Sequence, residues 1–189
     1  MEIIPAIQNR CSTRKFESRP VEEEKLNLII EAARMAPSGK NERGNRIYVF
    51  ENREVLERIN QALVEAVLNG NAVGMGPESA KLVQKDDFSF CYNAPVFILT
   101  TYVKDPYNAY VNCGCLLENA MLQACELGIG SCFINMIRRA ENDPSLRKLL
   151  KEYGVGESEI ITGGLALGYP ATPFTKNSKT EGNEVIRIR

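Results

Sequence analysis

An α+β domain is the fold predicted by this 189-residue sequence, and three observations predict it. Helix-like and strand-like segments alternate irregularly, without the strict βαβ rhythm of a doubly wound sheet. Two stretches, residues 94–102 ("APVFILTTY") and 159–171 ("EIITGGLALGYPA"), are apolar enough to be buried strands. Between them, residues 107–127 form a long helical candidate with apolar or small residues on nearly every face. The length suits one domain, residues 1–189, with room for one inserted flap.

Each element follows from local pattern. A short leading helix is expected over residues 2–9. In "VEEEKLNLIIEAARMAPSG", Leu26, Ile29, Ile30 and Ala33 lie at helical spacing. The acidic run Glu22–Glu24 suits the positive end of that helix, and Pro37 disfavours helix at Ala36. Residues 46–51, "RIYVFE", are rich in strand formers. Residues 53–68 give a second helix, and the glycine-rich break 69–79 opens a candidate mobile flap over 69–92. Gly128 is placed to cap the long helix. Asp143, Pro144 and Gly154 punctuate a helix over 143–154. The closing "NEVIRIR" alternates like a last strand.

Composition excludes several classes. Hydrophobic content of 44%, charged content of 25% and a net charge of −1 describe an ordinary globular protein without a basic field for nucleic acid. No apolar run approaches a membrane span, and the N-terminus lacks the pattern of a signal peptide, so the expected location is the cytoplasm. The six cysteines form no CxxC pair and read as reduced thiols. Zinc-finger spacing is absent, and there is no histidine, which rules out Ser-His-Asp and Cys-His catalysis by this chain. A catalyst of this composition draws its chemistry from a cofactor.

Four stretches carry candidate chemistry. "NRCSTRKF", residues 9–16, groups Arg10, Arg14 and Lys15 around Ser12 and Thr13. Arginines bind phosphate bidentately, and in an extended chain residues 10, 12 and 14 share one face. The same stretch is otherwise a solvated basic loop. "APSGKN", 36–41, is a turn-forming cluster after a helix. "LGIGSCFINM", 127–136, is a turn into an extended stretch whose amides could face a ligand. "GGLALGYPATPFTKNSK", 163–179, offers two glycines for close backbone approach, with Lys176 and Lys179 as added charge.

In order and spacing these stretches resemble the nitroreductase family of FMN-dependent NAD(P)H oxidoreductases. The family's "R-x-S-x-R-x-F" is matched by Arg10, Ser12, Arg14 and Phe16, and its "A-P-S-x-x-N" by Ala36, Pro37, Ser38 and Asn41. "N-A-P" is matched by Asn93 to Pro95, "L-G-I-G-S-C" by Leu127 to Cys132, and "A-L-G-Y-P" by Ala166 to Pro170. The resemblance implies a mostly antiparallel sheet flanked by helices, and an intertwined homodimer with FMN at the subunit interface and helix 107–127 in that interface. It implies that Arg10, Cys11 (through its backbone), Ser12, Arg14 and Lys176 or Lys179 hold the phosphate and ribityl chain. Pro37, Ser38, Gly39 and Asn41 would reach the flavin from the other subunit, and Ile134, Asn135 and Met136 would lie near its ring. Two departures stand out. Cys11 occupies a position where many members carry a cation, and Glu42-Arg43-Gly44-Asn45 replaces the usual "x-Q-P-W".

The implied activity is ping-pong electron transfer from NAD(P)H, or from a reduced ferredoxin, to a nitroaromatic, quinone or similar small acceptor. No side chain is expected to act as catalytic acid or nucleophile, and no metal is expected. A flavin reductase or a dedicated-metabolite enzyme on the same fold, a flavin carrier or sensor without turnover, and a module binding some other small phosphate are the other readings of the same residues.

Overall fold

The computed structural model describes residues 3–103, 106–173 and 183–189. It contains helices α1 (Ile3–Asn9) and α2 (Glu23–Arg34), strand β1 (Asn45–Phe50), helices α3 (Arg53–Leu68) and α4 (Pro77–Val83), and strand β2 (Val96–Tyr102). Then follow α5 (Pro106–Glu126), β3 (Gly130–Ile134), α6 (Met136–Arg139), α7 (Pro144–Glu152) and β4 (Ile160–Gly168). The four strands form one sheet in the order β1-β2-β4-β3, and every adjacent pair is antiparallel. The α+β prediction and its antiparallel sheet are thus borne out.

Alternation along β2 divides the core. Val96 and Ile98 face α2 and α5, packing with Leu26, Ile29, Leu116 and Leu117. Phe97 and Leu99 face α3 and α7, packing with Ile59, Leu63, Leu146 and Leu150. Helices therefore cover both faces, and β2 is buried along its whole length. Between Thr100 and Thr101 the register with β4 slips by one residue. The slip is satisfied locally: Thr100 Oγ1 donates to the Gly163 carbonyl at 3.0 Å, and Thr162 Oγ1 donates to the Thr100 carbonyl at 2.9 Å.

Helix ends follow the sequence signals. Asp143 Oδ1 accepts the Leu146 N–H at 2.9 Å, and Pro144 occupies the first helical turn. Gly128, at φ 72°, turns the chain out of α5, and the Ile129 N–H closes on the Ala124 carbonyl at 2.8 Å. Glu22 does not cap α2; its carboxylate accepts the Tyr169 phenol instead, at 2.5 Å.

One expectation needs correction. The closing "NEVIRIR" is not a strand: residues 183–189 have no regular structure and leave Val185, Ile186 and Ile188 exposed. A strand exists only with a paired neighbour, and this segment joins no ladder of its own chain. Within the glycine-rich break 69–79, α4 begins at Pro77. The paired glycines 163 and 164 make room for the protein's own rings. A Cβ on Gly164 would stand 2.3 Å from Phe97 Cζ, and one on Gly163 3.1 Å from Phe133 Cζ.

Candidate functional site

The basic N-terminal segment is drawn out by backbone hydrogen bonds. Ser12 bridges Ser131 at the start of β3, and Phe16 bridges Pro170 beyond β4. Thr13 N–H donates to the Ser131 carbonyl at 2.8 Å, Glu17 N–H to Tyr169 at 2.8 Å, and Ala171 N–H to Lys15 at 3.0 Å. In an extended segment side chains alternate. Thr13 turns inward onto Gly130, where a Cβ would meet it at 2.6 Å, while Ser12 and Arg14 face outward. Ser12 and Arg14 thus share a face, as expected. Arg14 Nη1 also donates to the Ser12 carbonyl at 3.4 Å, and its guanidinium lies 6.0 Å over the Tyr92 ring. Arg10 is half-buried and turned towards Glu118 of α5, 4.0 Å away. A cleft of about 200 Å³ lined by Cys11 to Lys15, Thr172 and Pro173 opens over the segment.

At its far end β3 leads into Ile134, Asn135 and Met136. These line a cavity of about 320 Å³ whose opposite wall carries Leu82, Lys85, Phe88 and Tyr92. Phe133, 40% exposed, forms part of the same surface. Asn135 Oδ1 is buried and has no hydrogen-bond donor. A buried acceptor left without a donor costs about 1–3 kcal/mol, so this oxygen is a point at which a ligand donor would be gained at little expense. Ser131 and Asn135 are separated by about 13 Å of extended chain. The anion-binding candidates and the cavity therefore lie at the two ends of one short strand.

The loop after α2 is anchored elsewhere. Gly39 N–H donates to Asn112 Oδ1 at 3.0 Å, Asn112 Nδ2 donates to the Tyr102 phenol oxygen at 2.9 Å, and that phenol donates to Glu42 Oε2 at 3.1 Å. Ser38 Oγ accepts the Arg43 N–H at 3.0 Å, and Asn41 Oδ1 accepts from Arg43 Nε at 3.1 Å. Lys40, Asn41 and Arg43 all adopt positive φ. The substituted Glu42-Arg43 pair is thus what shapes and ties down this loop.

Tyr102 ends β2 at the edge where β1 begins, whereas Pro170 lies past the opposite end of β4. Within one chain the loop carrying Pro37, Ser38, Gly39 and Asn41 is therefore tied to the sheet end opposite Ser12 and Arg14, while β3 runs from the Ser12 end to Ile134, Asn135 and Met136. Lys176 and Lys179 lie outside the described residues. Sequence reading missed Tyr92, which meets Arg14, and the Asn112–Tyr102–Glu42 chain. The signal for the latter was present: Asn112 is a polar residue beside the apolar Cys113 and at helical spacing from the apolar Ala109 and Leu116, and it is 3% exposed.

Four of the thiols are held protonated by burial. All six cysteines are free. Burial pushes the Cys91, Cys113, Cys125 and Cys132 thiols up, and in Cys132 the nearby Arg14 and Arg10 oppose that only in part. Among the described residues no group of three or more acidic or thiol side chains is arranged to hold a metal.

The comparisons meet this geometry. The model of the nitroreductase family matches residues 7–169, which takes in the phosphate-binding candidate, the loop and β3. The chain belongs to the nitroreductase family. A protein of Archaeoglobus fulgidus, named provisionally as an NADH dehydrogenase/NAD(P)H nitroreductase, is 31% identical over 170 residues, covering 89% of this chain and 86% of that one. A Bacteroides fragilis nitroreductase crystallised with bound FMN superimposes with a TM-score of 0.88 at 27% identity, over 99% of this chain and 100% of that one. A second, from Desulfitobacterium hafniense and also with bound FMN, gives 0.79 at 25% identity over 98% and 100%. The family assignment makes the protein an oxidoreductase, and no helix among the described residues is long and apolar enough to cross a membrane.

Proposed function

We propose that the protein is an FMN-dependent oxidoreductase that takes electrons from NAD(P)H and passes them to a nitroaromatic, quinone or similar small acceptor. The observation that carries this reading is the arrangement along β3: an outward Ser12–Arg14 pair at one end, and the unpaired Asn135 Oδ1 at an aromatic-lined cavity at the other. These residues fit FMN, whose phosphate needs cationic and hydroxyl donors and whose ring carries an N–H edge.

Arg14, Ser12 and the backbone at Cys11 would hold the phosphate, with Arg10 in support once it leaves Glu118. Asn135 would accept from the ring edge, and Ile134, Met136 and Phe133 would exclude water from it. Bound there, FMN would supply the hydride chemistry between a nicotinamide donor and the acceptor. The chain contributes position, charge and a dry surface, so its lack of histidine costs the reading nothing.

Pro37, Ser38, Gly39 and Asn41 complete the site only from a second copy. Three apolar surfaces support such a homodimer: α5 exposes Tyr107 and Val111, α1 exposes Ile3, Ile4 and Ile7, and the C-terminus exposes Val185, Ile186 and Ile188. The test is steady-state turnover of FMN-loaded protein with NADH and NADPH against a panel of nitroaromatics, quinones and free flavin. Reduction of one acceptor class at the expense of NAD(P)H is expected. A yellow protein that turns over none of them is a flavin carrier or sensor, and the enzyme reading is then wrong.

A further inference from the structure

The glycine-rich break is held at two points. At its base, Asn71 Nδ2 donates to Asp143 Oδ2 at 2.8 Å, and Asp143 is itself the N-cap of α7. At its tip, Val73 and Arg139 exchange two hydrogen bonds. Val73 N–H donates to the Arg139 carbonyl at 2.8 Å, and Arg139 Nη1 donates to the Val73 carbonyl at 2.9 Å. The Nη1 tip of the guanidinium abuts the bare backbone of Gly74, where a Cβ would stand 2.6 Å from it. Gly70 and Gly74 have φ of 75° and 69°, so the loop can make both turns without strain.

Both sides of this clasp lead to the cavity at the end of β3. Arg139 closes α6, its N–H reaching back to the Asn135 carbonyl at 3.4 Å. Its neighbour Arg138 stacks 4.2 Å over Tyr110, which ties α6 to α5. From Val73 the chain runs directly into α4 and then to Leu82, Lys85, Phe88 and Tyr92, the wall opposite Asn135 and Met136. The clasp is therefore a short, direct link between the two sides of one cavity.

We propose that Arg139 is a positioning residue: it fixes the wall formed by residues 82–92 against Asn135–Met136, and so sets how tightly the cavity grips an aromatic acceptor. The inference rests on the reading of that cavity as the acceptor's place beside the flavin. Arg139 itself touches neither. A guanidinium is required, because its Nη1 must donate to Val73 while reaching Gly74 end-on, where a Cβ would stand 2.6 Å away. A lysine ammonium keeps the charge but not the plane.

The test uses FMN-loaded wild type, Arg139→Ala and Arg139→Lys. The dissociation constant of 4-nitrobenzoate is read from its perturbation of the flavin absorbance, and KM and kcat are measured for the same acceptor. Loss of one hydrogen bond to a charged donor predicts a dissociation constant and KM raised about tenfold in Arg139→Ala, with Arg139→Lys failing to restore them. FMN content and kcat should stay within about twofold. Amide deuterium exchange should quicken over residues 72–88 and not over 10–16.

A dissociation constant within about twofold of wild type overturns the proposal, as does an equal loss of kcat and FMN content, which marks a merely structural role. Wild type that binds 4-nitrobenzoate yet turns over no acceptor contradicts the functional reading, while the shift in dissociation constant still decides the role of Arg139.

Discussion

Arg14 is the cation that stands out at the scale of single residues. Its partners are weak and exposed: the Ser12 carbonyl at 3.4 Å and the Tyr92 ring at 6.0 Å. It gives up little to bind a phosphate, whereas Arg10 must leave Glu118. Arg14→Ala should weaken FMN binding by about 1.5–3 kcal/mol, the scale of a lost charged hydrogen bond. Unchanged affinity in a fluorescence titration would remove Arg14 from the phosphate site.

Glu159 is the opposite kind of residue, a carboxylate with every need met. Burial alone would raise its carboxyl. The Thr101 hydroxyl, the Gly156 amide, the Tyr48 phenol and the Arg46 guanidinium at 2.5 Å together hold it below the ordinary carboxylate range. A folded-state value below the unfolded one means stabilisation that is complete above the unfolded value, about 4.3, and lost as pH falls through the folded one. Thermal melts of wild type should therefore lose more stability below about pH 4.3 than melts of Glu159→Gln. Parallel acid profiles for the two proteins are the result that counts against this.

Among elements, the loop 36–43 shows what its unusual sequence does. Glu42 accepts from Tyr102, Tyr102 accepts from Asn112, and Asn112 accepts from Gly39, so one buried amide fastens the loop to β2 and α5. Asn112→Ala should cost about 1–3 kcal/mol, because the Gly39 N–H loses its acceptor. A urea midpoint unchanged from wild type would show the link to be idle.

This network also marks the limit of what the sequence could tell. Helices α3, α5 and α7 and strand β2 were legible because period and caps are local properties, as Asp143, Pro144 and Gly128 illustrate. The anchoring of "APSGKN" and Glu42 was not legible, because Tyr102 lies 60 residues beyond Glu42 and Asn112 73 residues beyond Gly39. The same holds for Arg14 and Tyr92. The alternation of "NEVIRIR" was read correctly as a pattern but wrongly as a strand of this chain's sheet, since pairing requires an edge that local sequence does not specify.

The whole molecule is an antiparallel sheet covered on both faces, with Ser12 and Arg14 at one end of that sheet and the loop carrying Ser38 and Gly39 tied to the other. In the proposed homodimer a second copy brings that loop to Arg14, and the exposed Tyr107 and Val111 of α5 would meet it. Sedimentation at micromolar concentration should show a dimer, and Val111→Glu should shift it towards monomer with loss of FMN. A monomer that keeps FMN would mean the site is complete in one chain.

The central claim is that this site holds FMN and exchanges electrons through it. Its most direct test is an anaerobic absorbance titration of the FMN-loaded protein with NADH and then NADPH, followed by a nitroaromatic or quinone. The account predicts a flavin band near about 450 nm that bleaches with one equivalent of donor and returns on addition of acceptor. No flavin band after FMN is offered in excess, or a band that neither donor bleaches, would contradict it.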